Sequence, residues 1–176
     1  MAVDISRALG VTGWMGRLML VWLAEQSAKC KRIVEVGCYR GRSTRAMIDN
    51  SRAHIWCLDS WSGTHTTADD HVRFLTNVQD SLDRLTILKM DSVKGTKKLL
   101  KRFGPGHFDL MFIDACHDYK CVRADIIACR PLVRRGGILA GHDYANGWPG
   151  VRRAVNELVP DKQIVPKGAI WWTKLS

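Results

Sequence analysis

Glu35, Asp59, Asp91, Asp114 and Asp143 each sit at or near the end of a different short apolar run. Just past the first of them lies "GCYRGRST", with Gly37 and Gly41 four residues apart and Ser43 opening the next segment. Glycines let a backbone turn sharply and approach a ligand closely, and a helix starting there offers unpaired N–H groups. The spacing is G-x-x-x-G, not the G-x-G-x-x-G of dinucleotide enzymes. An acid roughly 20 residues beyond such a turn, here Asp59, can bind the hydroxyls of a ribose. Any one of these acids is weak evidence, because polar residues commonly follow strands. Five at successive strand ends would repel one another in an unliganded rim, so a partner that makes the arrangement worthwhile is expected.

Two of the same acids, with two histidines near them, raise acid–base and metal chemistry. Asp114 and Asp143 end neighbouring strands, so their carboxylates could converge on one hard cation, with His142 beside them. The bland alternative is that Asp143 caps a loop. His117 lies three residues past Asp114, just before a helix, and an imidazole has the right pKa for a general base; His142 is the other candidate. The alternative for His117 is a helix-start residue. His65 and His71 flank a polar loop and are expected in solvent, while His54 and His107 begin strands and are expected to be structural. Asp118 and Tyr119 could cap the helix after His117. "CHDYKC" suggests zinc only by composition; its spacing matches no usual ligand pattern, so no zinc is expected.

The elements that position these groups alternate. "GWMGRLMLVWLAEQSAK" repeats apolar residues at helical spacing through Met15, Leu18 and Trp22 and through Met19 and Leu23. The strands expected are "RIVEVG", "HIWCLDS", "LTILKMDS", "FDLMFIDA", "GILAGHDY", "KQIVP" and "AIWWTKL". The helices between them are "RSTRAMIDN", with the Ser43 hydroxyl suited to its first turn, "HVRFLTNVQDSL", "VKGTKKLLKRF", "YKCVRADIIACRPLV" and "GVRRAVNELV". In the second of these, Val72, Leu75 and Val78 or Leu82 are expected inward. "GTHTTADD" reads as a polar loop and "RRGG" as a tight connection. Strand–helix alternation with continuously apolar inner strands predicts an α/β, doubly wound, mostly parallel sheet with helices on both faces. Ligands of such sheets bind at the carboxyl ends of the strands.

The 176 residues suffice for one domain with a substantial core, expected over 1–176 with a helical segment at 1–30. No apolar stretch approaches the ~18 residues of a membrane span, and no signal-peptide pattern opens the chain, so a cytoplasmic location is expected. The six cysteines form no C-x-x-C pair and read as reduced thiols. A net charge of +10 suits an anionic substrate or a nearby nucleic acid, or simply solubility, since the basic residues are dispersed.

Taken together, "VEVGCYRGRST", "CLDSW", "KMDS", "MFIDACHDYKCVRADI", "RPLVRRGGILAGHDY" and "GVRRAVNE" resemble the class I S-adenosylmethionine-dependent methyltransferases. The branch they resemble is the small O-methyltransferases related to cephalosporin-cluster and macrolide-sugar enzymes. The resemblance runs from Arg32 to the C-terminus and implies a Rossmann-like, seven-stranded sheet with an antiparallel last strand. It implies that Gly37, Gly41 and Ser43 admit the methionine end of the cofactor, S-adenosyl-L-methionine. Glu35 would bind the ammonium and carboxylate region; the alternative is that Glu35 pairs only with Arg40 or Arg42. Asp59 would hold the ribose diol. Ser60 or Trp61 would border the adenine, although Trp61 could simply be core. Asp91 and Ser92 would position the adenine amino group, and Asp114 could touch the cofactor's ammonium. It further implies His117 as general base and Tyr119 in the acceptor pocket. Metal-bearing relatives carry an acid pair at the fifth strand, where this chain has His142 and Asp143, so Mg²⁺, Mn²⁺ or no metal are all open. The acceptor would be a small molecule, with an anionic one suited to the net charge. An RNA- or DNA-modifying methyltransferase and a non-catalytic S-adenosylmethionine-binding protein are the rival readings, and a homo-oligomer could complete the site.

Overall fold

The computed structural model describes residues 2–63 and 66–176, so His65 lies outside the described residues. Seven strands form one sheet: β1 (Arg32–Val36), β2 (His54–Asp59), β3 (Leu85–Lys89), β4 (Phe108–Ile113), β5 (Val133–Gly141), β6 (Gln163–Ile164) and β7 (Trp171–Lys174). Their order is β3-β2-β1-β4-β5-β7-β6. Strands β1 to β5 pair in parallel, while β7 runs antiparallel to both β5 and β6. The helices are α1 (Ser6–Gly10), α2 (Arg17–Ser27), α3 (Arg42–Asn50), α4 (Ala68–Val78), α5 (Ser92–Phe103), α6 (Tyr119–Cys129) and α7 (Pro149–Leu158). The α/β, doubly wound sheet with an antiparallel last strand is as the sequence predicts.

Because strand side chains alternate, β1 feeds two cores. Ile33 packs with Ala8, Leu20, Leu23, Met47 and Phe74, from α1 to α4. Val34 and Val36 pack on the other face with Leu99, Val122, Ile126, Val151 and Val155, from α5 to α7. Each such fully buried side chain contributes about 1.5–3 kcal/mol. Among the described residues, no helix is long and apolar enough to cross a membrane.

Three local expectations are corrected. In α2 the inward residues are Leu20, Leu23, Ala24 and Ser27, while Leu18 is 55% exposed. In α4 the buried apolar residues are Phe74 and Val78; Leu75 is only partly buried, Val72 is 60% exposed and Leu82 lies in a following 3₁₀ turn. The phase differs because Thr67 and Asp70 form a capping box that starts the helix at Ala68, inside the expected loop. "RRGG" is not a connection but a bulged start of β5: Phe108 pairs with Val133 and Leu110 with Ile138. Arg134 holds it there by donating to Asp109 at 2.6 Å. Ser43 stands in the first turn of α3, as expected, with its hydroxyl turned to Glu35; the N-cap is Gly41, at φ +87°.

Candidate active site

Parallel strands place all their carboxyl ends on one edge. Asp91, Asp59, Glu35, Asp114 and Asp143 therefore lie along that edge in the order of β3, β2, β1, β4 and β5. They are not scattered, and each meets different chemistry there.

Glu35 is fully buried within β1. Its Oε1 accepts from the Ser43 hydroxyl and its Oε2 from the Thr44 hydroxyl, both at 2.5 Å. The expected alternative pairing is corrected: Arg40 donates to Asp70, and Arg42 to the carbonyls of Leu9, Val11 and Met15. Burial pushes the Glu35 carboxyl up to about 7, against the two hydroxyl hydrogen bonds and with help from the Asp114 charge. An unfolded chain loses this proton near the ordinary 4.5, whereas the folded chain keeps it to about 7. Between those values the native state holds the extra proton, so stability falls as pH rises through that window and levels off above it. The loss amounts to about 3 kcal/mol. Glu35→Gln should flatten this slope, read from urea midpoints at about pH 5 and about pH 8. An unchanged slope would assign the titration to another group.

Asp59 ties together two turns. Its Oδ2 accepts from the N–H groups of Cys38 and Tyr39 at 2.8 and 2.9 Å, and its Oδ1 from Trp61 N–H at 2.7 Å. Tyr39 and Trp61 both adopt left-handed backbone, at φ +49° and +47°, a conformation that disfavours large residues and so needs outside support. Trp61 is buried against Phe74 and His71, and its indole N–H donates to Tyr39 O. Ser60 stands half-buried between the two turns. Gly37 is left-handed at φ +86°, and a Cβ there would overlap the Asp114 carbonyl; one at Gly41 would press on the Phe74 ring. The tight glycine fits are thus against the protein's own β4 end and α4. Asp91 caps α5 by accepting from Lys94 N–H at 3.0 Å, and the Ser92 hydroxyl donates to buried Asp125 at 2.5 Å.

At the β4 and β5 ends, His117 Nε2 donates to Asp143 Oδ2 at 2.7 Å. His142 Nδ1 lies 3.4 Å from Asp114 Oδ1 and 3.2 Å from Asp143 Oδ1. Its Nε2 is 3.1 Å from the Met19 sulfur. Burial opposes a charge on His142, yet the two carboxylates hold its proton up to about 10. The hydrogen bond to Asp143 raises His117 above the ordinary imidazole value, burial opposing. Burial would raise Asp143, but the two imidazoles outweigh it and hold its carboxyl well below the usual range. Asp143 is a third left-handed residue, at φ +60°. Asp114, His117 and Asp143 each offer a ligand atom within 4.8 Å of the others.

Sequence reasoning missed several of these partners. Trp148 stacks on the His117 ring with centroids 4.0 Å apart, signalled only by its place before the helix-starting Pro149. Thr44 beside Ser43 and Met19 under His142 carried no local signal. Asp118 occupies the N-cap position of α6 without a side-chain cap bond, and the Tyr119 hydroxyl donates to Glu157. His54 bonds Thr86 and His107 stacks on Phe103, structural as expected, while His71 packs on Trp61 rather than standing free.

The family model described as "Methyltransferase domain" matches residues 34–144, well over half of the chain. The chain belongs to this methyltransferase family. A sequence search among curated proteins found no match. The fold of this methyltransferase is shared with solved structures of low identity. The Bacillus cereus O-methyltransferase in complex with SAH aligns at TM-score 0.70 and 18% identity, over 95% of this chain and 86% of that one. SAH-bound Podospora anserina methyltransferase PaMTH1 aligns at 0.71 and 18%, over 93% and 80%. CalS11, a TDP-rhamnose 3′-O-methyltransferase of calicheamicin biosynthesis, aligns at 0.70 and 19%, over 89% and 77%.

Proposed function

We propose that this methyltransferase uses S-adenosylmethionine to methylate an oxygen of a small molecule, with His117 as general base. The observation that carries the reading is the His117–Asp143 pair, 2.7 Å apart, on the same sheet edge as the Gly37–Gly41 turn. The residues fit the cofactor. Helix α3 starts at a glycine with no side-chain cap, which leaves first-turn N–H groups for a carboxylate. Asp59 Oδ1 accepts one hydrogen bond and retains a lone pair for a ribose hydroxyl. Ser60, Trp61, Asp91 and Ser92 border the adenine side in this reading, and Asp114 faces the ammonium. When bound, the cofactor supplies a methyl group on a positively charged sulfur.

The chain's own residues do the rest. Asp143 takes the Nε2–H of His117, which sets the tautomer and leaves Nδ1 to accept the hydroxyl proton. Trp148 covers one face of the imidazole and keeps its plane fixed. A second reading adds a divalent cation such as Mg²⁺ or Mn²⁺, favoured by the closeness of the Asp114, His117 and Asp143 donors. It would act as a Lewis acid on the acceptor oxygen, at the expense of the His117–Asp143 bond.

Calorimetry is expected to show micromolar binding of S-adenosylhomocysteine. A panel of phenols and sugar nucleotides, with and without chelator, is expected to yield S-adenosylhomocysteine from the donor. Failure of both donor and product to bind would remove the reading, and turnover abolished by chelator would select the cation-assisted version.

A further inference from the structure

The segment from Cys116 to Cys121 gathers a second donor set that methyl transfer does not use. The sulfurs of Cys116 and Cys121 and a carboxylate oxygen of Asp118 all lie within 4.8 Å of one another. Cys116 is half-buried, while Asp118 and Cys121 are exposed, so the set is open to solvent on one side. The geometry arises from the helix start: Cys116 precedes the turn, Asp118 occupies the N-cap of α6, and Cys121 is in its first turn. The Asp118 carboxylate stands at that cap position yet makes no cap bond, which leaves its oxygens available.

The spacing of "CHDYKC" gives no reason to expect zinc, but from the clustering of its donors in space we infer that Cys116, Asp118 and Cys121 bind a borderline-soft divalent cation of zinc type. Two thiolates and one carboxylate make three corners of a tetrahedron, and water completes the fourth. Ligand atoms of such a site stand about 3.5 Å apart, so the separations need shrink by no more than about 1 Å. Binding transfers the two thiol protons to solvent and forms two metal–sulfur bonds, with no change of oxidation state. The neighbouring Asp114, His117 and Asp143 donors are oxygen and nitrogen and suit a harder ion, so sulfur chemistry separates the two places. The cation would grip the chain on both sides of His117. It would therefore act as a staple on the loop that carries the imidazole, and it stands or falls independently of the methyl-transfer reading.

Cobalt(II) added to the reduced 176-residue chain tests this. One equivalent is expected to produce the thiolate-to-cobalt charge-transfer band and tetrahedral visible absorption, both erased by Zn²⁺. The band should disappear in Cys116→Ser and in Cys121→Ser. Asp118→Asn should weaken cobalt binding by about tenfold, and Asp143→Asn should leave the spectrum unchanged. Cys121 and Asp118 are exposed, so their variants retain the fold, which circular dichroism checks. A charge-transfer band that survives in the Cys116→Ser/Cys121→Ser double variant overturns the assignment. So does wild-type protein that shows no band at about 1 mM cobalt.

Discussion

His117→Gln lowers kcat by about 10²–10⁴-fold and leaves the affinity for S-adenosylhomocysteine within about twofold. Glutamine keeps a donor that can reach Asp143 and a flat amide that can lie on Trp148, so the loop loses little packing. What it lacks is a nitrogen lone pair to take a hydroxyl proton. A phenol or sugar hydroxyl has a pKa of about 10 or above and needs that acceptor near neutral pH. Asp143→Asn should share much of the loss, because Asn tolerates the left-handed backbone at φ +60° but no longer holds the ring as a carboxylate does. Steady-state assays with saturating donor and acceptor give kcat, and calorimetry gives affinity. A variant with kcat within threefold of the parent would strip His117 of the role. A parallel collapse of binding would make His117 a structural residue.

Asp59→Ala weakens donor binding by about 100-fold or more. The carboxylate accepts from three backbone N–H groups on two separate turns, and each turn contains a large residue in left-handed conformation. Hydrogen bonds to a charged group contribute about 1.5–3 kcal/mol each, and the bonds here act as a unit. Losing the net effect of one or two of them already corresponds to the stated factor. Hydrogen exchange separates two causes. If Asp59 works by holding the turns, the amides of Cys38, Tyr39 and Trp61 lose protection in the variant. If protection is unchanged and binding is lost, Asp59 acts by touching the donor alone. Binding unaltered within threefold would remove it from the site.

The edge of acids was legible because geometry forces it: once five strands are parallel, whatever residue follows each one is delivered to the same side. The same logic fixed the fold class, since alternation and apolar runs reflect burial on two faces. What each acid pairs with was not legible. Ser43 reads locally as a first-turn residue of α3, but nothing local shows that the buried Glu35 carboxylate captures its hydroxyl. Ser92 is likewise taken by Asp125 from another helix. Those pairings depend on which side chains tertiary packing brings within reach. The α4 phase was readable in principle, since Thr67 and Asp70 stand at capping-box spacing. The "RRGG" bulge was not, because the partner that makes it strand, Asp109, lies 25 residues away.

Gly37 and Asp114 meet backbone to backbone, and Asp114 N–H donates to Val36 O at 2.7 Å. That seam joins the half of the chain ending at β3 to the half beginning at β4, about where the strand order reverses. Nothing local preassembles it: the first half emerges with its glycine turn facing an empty flank. Loop closure over nearly eighty residues must precede a competent pocket, so neither half of the chain offers it alone. A nucleoside lodged across the seam would act as a clasp between early- and late-made chain, and its hold on the protein would report on the whole sheet at once.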